Sequence, residues 1–186
     1  MKTTFFTRNW KLKSAIMGLT LVNMVAPDIL GQCKNFNPFL NADGYKGVFK
    51  SASTLIPHPE KAYKGGEDAL HVKDRLISIA DGVGGWASHG VDPGLYSKQL
   101  ELFIGEEFDN DPNATPKQIL TRANKRTFKT GTSTCVIAIL HPENQTIATT
   151  WLGDSSYMLL RPNTKGVDKI YRSKEQQKSF NFPYQC

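Results

Sequence analysis

Apolar and polar positions along the chain follow the period of strands in some stretches and that of helices in others. Apolar stretches of strand length occur at 45–57, 69–72, 75–80, 133–140, 146–152, 155–161 and 167–172. Two longer stretches with helical spacing lie between the third and fourth of them. Strands, then two helices, then further strands predict an α+β fold with antiparallel sheets rather than alternating β-α units.

Both predicted helices carry sequence signals for their first residues. Asp92 can cap the first helix, with Pro93 at its first position, while Thr115 and Gln118 form a capping box for the second. The apolar faces are predicted to use Leu95, Leu100, Phe103, Ile104 and Phe108 in the first helix, and Ile119, Leu120, Ala123 and Phe128 in the second.

The N-terminal segment, residues 1–27, contains four basic residues and no acid. Its apolar part, 14–26, is shorter than the roughly 20 residues that a membrane-spanning helix needs. This pattern predicts a targeting leader for mitochondrial import, with secretion as the alternative and an uncleaved anchor as a third possibility. Residues 28–44 are predicted to be a linker, and residues 45–186 to be a folded domain.

Composition narrows the function classes. The net charge is +6, but four of the basic residues belong to the predicted leader, so no basic face for a nucleic acid is expected. The three cysteines are widely spaced, which disfavours a zinc site or a disulfide framework. Cys135 lies in an apolar stretch and is predicted to be a core residue.

Four acidic residues stand at predicted strand ends or turns: Glu67, Asp68, Asp81 and Asp154. Each alone is an ordinary turn residue. Together they are separated along the chain, and glycine flanks three of them, which lets the backbone come close to an ion. Hard divalent cations prefer oxygen ligands, so the set predicts a Mg²⁺ or Mn²⁺ site rather than a zinc site.

Four short motifs carry a family resemblance: "GGEDA" (65–69), "ADGVGGW" (80–86), "GTSTC" (131–135) and "LGDSS" (152–156). In this order and spacing they resemble the metal-dependent protein phosphatases of type 2C, the PPM family. The stretch "DGVGGWASHGVDPGLYSKQL" and the tail "RSKEQQKSFNFPYQ" are most similar to the mitochondrial branch of that family.

The resemblance implies a four-layer α-β-β-α sandwich of two antiparallel sheets flanked by helices. It implies hydrolysis of phosphoserine or phosphothreonine by water that two Mg²⁺ or Mn²⁺ ions activate. Asp81 would bridge the ions, the Gly82 carbonyl would bind one, and Glu67 and Asp68 would bind directly or through waters. Asp154 would serve a weaker third ion. Asp81 and Asp68 are thus the expected catalytic residues, acting on phosphoprotein substrates in a monomer without membrane insertion.

Two positions depart from the family pattern. Val83 stands where many members have a histidine proposed as general acid, so either a water at the metal centre or His89 would protonate the leaving group. Tyr63 stands where many members have a phosphate-binding arginine, and Lys61 or Lys64 is the candidate substitute.

The family also places two metal-binding aspartates further along the chain than residue 186. Residues 173–186 are polar and offer no closing element, so the domain is predicted to be incomplete at its C-terminus. Residues 173–177 are predicted to be solvated surface. One hypothesis is therefore part of an active phosphatase. The alternatives are a catalytically impaired regulatory or binding protein on the same fold, or a globular domain whose acidic turns are only turns.

Overall fold

The structure is a computed structural model that describes residues 47–186, together with the backbone of residues 6–11 and 18–20. Within these ranges the chain forms two α-helices and antiparallel strands, which confirms the α+β class. The strands are β1 (Phe6–Lys11), β2 (Gly18–Thr20), β3 (Asp68–Lys73), β4 (Leu76–Gly82), β5 (Ser133–His141), β6 (Thr146–Leu152), β7 (Met158–Asn163), β8 (Gly166–Arg172), β9 (Gln177–Ser179) and β10 (Phe182–Pro183).

Two sheets and one hairpin account for these strands. The larger sheet has the spatial order β1-β6-β5-β4-β3, a smaller sheet has the order β2-β7-β8, and β9 pairs with β10. All of the pairings are antiparallel. Because β3, β4, β5 and β6 are antiparallel neighbours, the starts of β3 and β5 lie at the same end of the larger sheet as the ends of β4 and β6.

The helices begin where their caps predict. Helix α1 (Pro93–Asn110) is capped by Asp92, and helix α2 (Pro116–Arg126) begins with the capping box of Thr115 and Gln118. Short 3-10 helices span Pro59–Lys64, Gly84–His89 and Pro142–Asn144. No helix in the described part of the chain is long and apolar enough to cross a membrane.

The main core lies between the helices and one face of the larger sheet. Its buried members are Leu76, Ala80, Tyr96, Leu100, Ile104, Phe108, Ala114, Ile119, Leu120, Ala123, Cys135, Ile137 and Ile139. On the opposite face, Val136 and Trp151 pack against Tyr157 and Tyr171 from the region of the smaller sheet. The described residues therefore build three layers, helix on sheet on sheet, and β5 is buried on both faces.

The strand predicted at 45–57 is wrong for the described residues of that range, which contain no strand. Phe49 donates its backbone N–H to the Asp74 carbonyl at 2.7 Å and packs against the core, but most of its neighbours are exposed. Partial alternation without a neighbouring strand does not form a ladder, because a strand is stabilised by its cross-strand partners.

Two residues assigned to helix faces are exposed instead. Leu95 is 49% exposed and Phe128 is 75% exposed. Leu95 lies in the first turn of α1, where Tyr96 is the buried neighbour, and Phe128 lies beyond Arg126, the last residue of α2. For Phe128, the helical period continues in the sequence beyond the last residue of α2, and helix ends are the least certain part of such a pattern.

Strands β1 and β2 lie within residues 1–27, where a leader is predicted. β1 pairs with β6, and β2 pairs with β7. The leader and its boundaries stay a prediction, and the linker predicted at 28–44 lies outside the described residues.

A glutamate side chain of α1 is buried beside the main core. Glu101 of α1 is 2% exposed, and its Oε1 accepts a hydrogen bond from Ser78 Oγ at 2.8 Å. Its Oε2 has no hydrogen-bond partner within the described residues. Burial raises the pKa of Glu101 well above its ordinary value, and the Ser78 hydrogen bond opposes this only in part.

We expect Glu101→Gln to remove a pH-dependent loss of stability. Since the folded pKa lies above the unfolded value near 4.5, this carboxyl group stabilises the fold fully below that pH and progressively less above it. Above this unfolded pKa, the free energy of unfolding of Glu101→Gln relative to that of the wild type should grow by at most about 1.4 kcal/mol per pH unit. Urea titrations at several pH values measure this advantage, with the exposed Glu143→Gln as control. Parallel pH profiles of Glu101→Gln and wild type would contradict the expectation.

Candidate metal centre

Two of the predicted site acids face each other across neighbouring strands. Asp68 begins β3, Asp81 lies near the end of β4, and the two residues are directly opposite in the register of this pair. Side chains of directly opposed residues project from the same face of a sheet, with their Cβ atoms about 5 Å apart. The register of the antiparallel pair therefore brings two carboxyl groups together at the open end of the β3–β4 hairpin.

The other three predicted acids all raise the pKa of Asp81. Its pKa is raised to about 7, first by burial, then by the charge of Asp68 and a hydrogen bond with it, and further by the charges of Asp154 and Glu67. Like charges at short range disfavour ionisation. The charges of Asp68, Asp154 and Glu67 are therefore all felt at Asp81, and the assignment of these acids as metal ligands stays a prediction.

Glu67 is largely enclosed by its neighbours. Its side chain is 9% exposed, Lys61 Nζ contacts Oε2, and Lys64 Nζ lies 3.6 Å from Oε1. That Oε1 atom makes no hydrogen bond within the described residues. Two lysine ammonium groups therefore lie at the Glu67 carboxyl group, and its buried Oε1 atom is left without a hydrogen-bond donor in the described part of the chain.

The N-terminal end of α1 holds the loop that carries Glu67. Lys64 Nζ donates to Asp92 Oδ1 at 2.9 Å, and Ser97 Oγ donates to the Glu67 carbonyl. The Gly82 N–H donates to the same carbonyl at 3.1 Å. The helix cap and the end of β4 are thereby tied to one turn.

Gly82 has no side chain because backbone atoms fill the space. A Cβ there would lie 2.7 Å from the Pro93 carbonyl oxygen and 2.8 Å from the Glu67 carbonyl oxygen, closer than real Cβ contacts. The glycine next to Asp81 therefore allows three chain segments to pack closely. The approach of an ion, which the sequence analysis gives as the reason for the glycine, stays a prediction.

Asp154 reaches the group from the turn after β6. Gly153 before it has φ 90°, a backbone conformation that favours glycine. Ser155 Oγ and Thr134 Oγ1 are hydrogen-bonded at 2.6 Å, which anchors this turn to β5. Gln177 Nε2 donates to Asp154 Oδ2 at 3.1 Å.

The donor chemistry fits a hard divalent cation. The group consists of carboxylate oxygens, with the orphaned Oε1 of Glu67 and the mutual repulsion at Asp81, and a cation would relieve both. However, no three histidine, cysteine or acidic side chains between residues 47 and 186 stand close enough to cage an ion. The acids therefore form a loose group with the right ligand type rather than a closed cage.

The candidate substitutes for the missing family residues have different surroundings. Tyr63 is 87% exposed, whereas Lys61 and Lys64 both lie at Glu67. His89 is exposed, and its ring contacts Ser88 and Trp86. Both lysines thus remain placed for an anion next to the acids.

The prediction that residues 173–177 are solvated surface is wrong for Ser173 and Gln177. Ser173 is 3% exposed, and its Oγ accepts the Tyr157 N–H at 2.9 Å. Gln177 contacts Asp154, and β9 and β10 form a hairpin. Asn181, at φ 55° in the hairpin turn, is the local signal that was overlooked, because asparagine tolerates this conformation.

The prediction that Cys135 is a core residue is confirmed, and two aromatic side chains are buried as well. Trp151 is 5% exposed and Tyr157 is 2% exposed. Trp86 is half-buried and donates Nε1–H to Thr132 Oγ1 at 2.7 Å. Cys135 is completely buried, and burial raises its pKa well above the ordinary value, so it is an inert core thiol.

Comparisons with known proteins agree with the fold. No family model matches the chain. It is 38% identical over 140 residues to Probable protein phosphatase 2C 55 of Arabidopsis thaliana, an alignment that covers 73% of this chain and 28% of the relative. It is 36% identical over 132 residues to Protein phosphatase PTC7 homolog fig of Drosophila grimshawi, covering 64% of this chain and 41% of the relative.

A solved structure shows the same arrangement. The X-ray structure of the photosystem II phosphatase PBCP superposes with a TM-score of 0.55 at 28% identity, over 71% of this chain and 52% of that chain. These relatives are protein phosphatases, which are hydrolases, and together they support the PP2C/PPM phosphatase family for this chain. The chain spans 28% and 41% of the length of the two curated relatives.

We expect Asp81→Asn to stabilise the metal-free protein. The substitution removes one of several repelling, partly buried carboxylates, so the free energy of unfolding in EDTA should rise by roughly 1–4 kcal/mol at neutral pH. Mn²⁺ should stabilise the wild type and not the variant, because only the wild type keeps the ligand. Chemical denaturation with EDTA and with Mn²⁺ measures both effects.

The matched control is Asp74→Asn, an exposed residue in the turn at the opposite end of the β3–β4 hairpin. It should change neither quantity. An Asp81→Asn variant that is less stable than the wild type in EDTA would show that Asp81 is a structural partner rather than a member of a repelling group.

Proposed function

We propose that this chain carries the metal-binding acids of a serine/threonine protein phosphatase of the type 2C class. The observation that carries the proposal is the convergence on Asp81, whose pKa responds to Asp68, Glu67 and Asp154 from separate segments. Similarity to protein phosphatases 2C supports the same conclusion. The substrates would be phosphoproteins, and the protein would act as a monomer.

Asp81, Asp68, Glu67, Asp154 and the Gly82 carbonyl would hold Mg²⁺ or Mn²⁺. Such ions supply an activated water and neutralise charge on the phosphoryl oxygens. The oxygen-only donor set supports this assignment, as does the Oε1 atom of Glu67, which makes no hydrogen bond within the described residues. Asp68 and Asp81 would orient the ions, because the β3–β4 register fixes their relative positions.

The surrounding residues would bind and orient the substrate. Lys61 and Lys64 place two ammonium groups at Glu67, where they could contact phosphoryl oxygens. Val83 carries no transferable proton, so the leaving hydroxyl would take its proton from solvent at the site or from His89 on the following loop.

A second candidate function is that of a regulatory or binding protein on the same fold. The specific observation in its favour is that, between residues 47 and 186, the acids form no closed cage. Such a protein would bind Mn²⁺ weakly and would recognise a phosphoprotein without turning it over.

Hydrolysis assays separate the two functions. We expect the 186-residue chain to hydrolyse an aryl phosphate and a phosphothreonine peptide only with Mn²⁺, and Asp81→Asn to fall to the rate measured in EDTA while Asp74→Asn retains full activity. Because the acids between residues 47 and 186 form no closed cage, activity should need high Mn²⁺ concentrations. Mn²⁺ binding without turnover would favour the regulatory function. The absence of both Mn²⁺ binding and turnover would contradict both functions.

A mitochondrial location is a further part of the proposal, based on the basic and apolar pattern of residues 1–27. Those residues fused to a fluorescent protein should direct it to mitochondria, as seen by microscopy. Entry of the fusion into the secretory pathway would favour the alternative leader.

A further inference from the structure

The last residues of the chain form a belt across the ends of β5 and β6. We call residues 176–186 the C-terminal belt. Gln176 N–H donates to the Gly153 carbonyl at 2.8 Å, and the backbones of Cys186 and Ser133 exchange two hydrogen bonds of 3.0 Å. The belt therefore contacts the start of β5 at Ser133 and the turn after β6 at Gly153.

The belt lies against the turn before Asp154 so closely that only glycine fits there. A Cβ on Gly153 would lie 2.7 Å from the Tyr184 carbonyl oxygen, and Gln176 Nε2 donates to the Trp151 carbonyl at 3.2 Å. Gln176 therefore makes two hydrogen bonds to the backbone of Trp151 and Gly153, and these fix the position of the next residue, Gln177. The distance between the backbones of Gln177 and Asp154 is thus set by main-chain packing.

From this position Gln177 reaches the Asp154 carboxylate. Its Nε2 donates to Oδ2 at 3.1 Å, and both side chains are half-buried. An amide donor orients a carboxylate without cancelling its charge, whereas a lysine at the same place would compete with a cation. Glu67, which is paired with lysines, shows the opposite arrangement within the same group of acids.

We propose that Gln177 is a positioning residue that orients the Asp154 carboxylate for a divalent cation. The proposal rests on the proposed function, because it takes Asp154 as a ligand of Mg²⁺ or Mn²⁺. It explains why an uncharged side chain from the C-terminal belt, rather than a basic one, meets this acid.

The test is Mn²⁺ binding to Gln177→Met, which keeps the length of the side chain and removes its donor. Free Mn²⁺ is followed by electron paramagnetic resonance, and the site of interest is the one that Asp154→Asn removes. We expect Gln177→Met to weaken that site about 10-fold. The matched control is Gln185→Met, since Gln185 belongs to the same belt and accepts a hydrogen bond from Thr132 rather than contacting an acid.

Both glutamine variants should lower the melting temperature by similar amounts, but Gln185→Met should retain the wild-type Mn²⁺ affinity. A double-mutant cycle identifies the route of the effect. In the Asp154→Asn background, Gln177→Met should leave the binding of the remaining Mn²⁺ unchanged. Unchanged affinity in the single variant, or an equal loss in that background, would overturn the proposal.

Failure of the proposed function gives a different result. A wild type that binds no Mn²⁺, or an Asp154→Asn variant that loses no site, would remove the metal assignment and this inference with it. A wild type that binds Mn²⁺ normally beside an unaffected Gln177→Met would overturn the role of Gln177 alone.

Discussion

Repulsion among carboxylates gathered at one end of the larger sheet is the constraint around which the other contacts are arranged. Asp68 and Asp81 are opposed in the β3–β4 register, and Glu67 and Asp154 add charge from two other segments. A fold selected for stability alone would separate such groups, since neither burial nor like charge favours ionisation. Their retention together is the kind of local conflict that marks a functional site.

Two kinds of contact hold this repelling group in place. Around Glu67, lysine ammonium groups lower the local negative charge, and the N-terminal end of α1 fixes the loop through Ser97. Around Asp154, the fixing groups are uncharged: a glutamine amide and the backbone of the belt. One side of the site is thus partly neutralised, whereas the other keeps its charge available. This difference bears on both candidate functions, because each of them requires an anion-binding and a cation-binding side.

Local signals predicted the elements that are stabilised locally. The cap at Asp92 and the capping box at Thr115 place the starts of both helices correctly, because these contacts lie within a few residues. Strand β6 also matches its predicted range. The stretch at 45–57 is predicted to be a strand and contains none in its described part, whereas Ser173 and Gln177 are predicted to be solvated and are buried and half-buried. Whether each becomes a strand or a covered segment depends on partners that are distant along the chain, and a local pattern contains no information about them.

The identity of the acids, their oxygen-only chemistry and the preference for a hard cation followed from residue types and motif order, because ligand chemistry belongs to the side chains themselves. The assignment of Asp81 as the centre of the group, the lysines at Glu67 and the contact of Gln177 with Asp154 were decided only by tertiary structure. Antiparallel pairing brings residues that are far apart in sequence to the same sheet edge. The distances between their charged atoms, which determine burial and pKa, exist only once that pairing has formed.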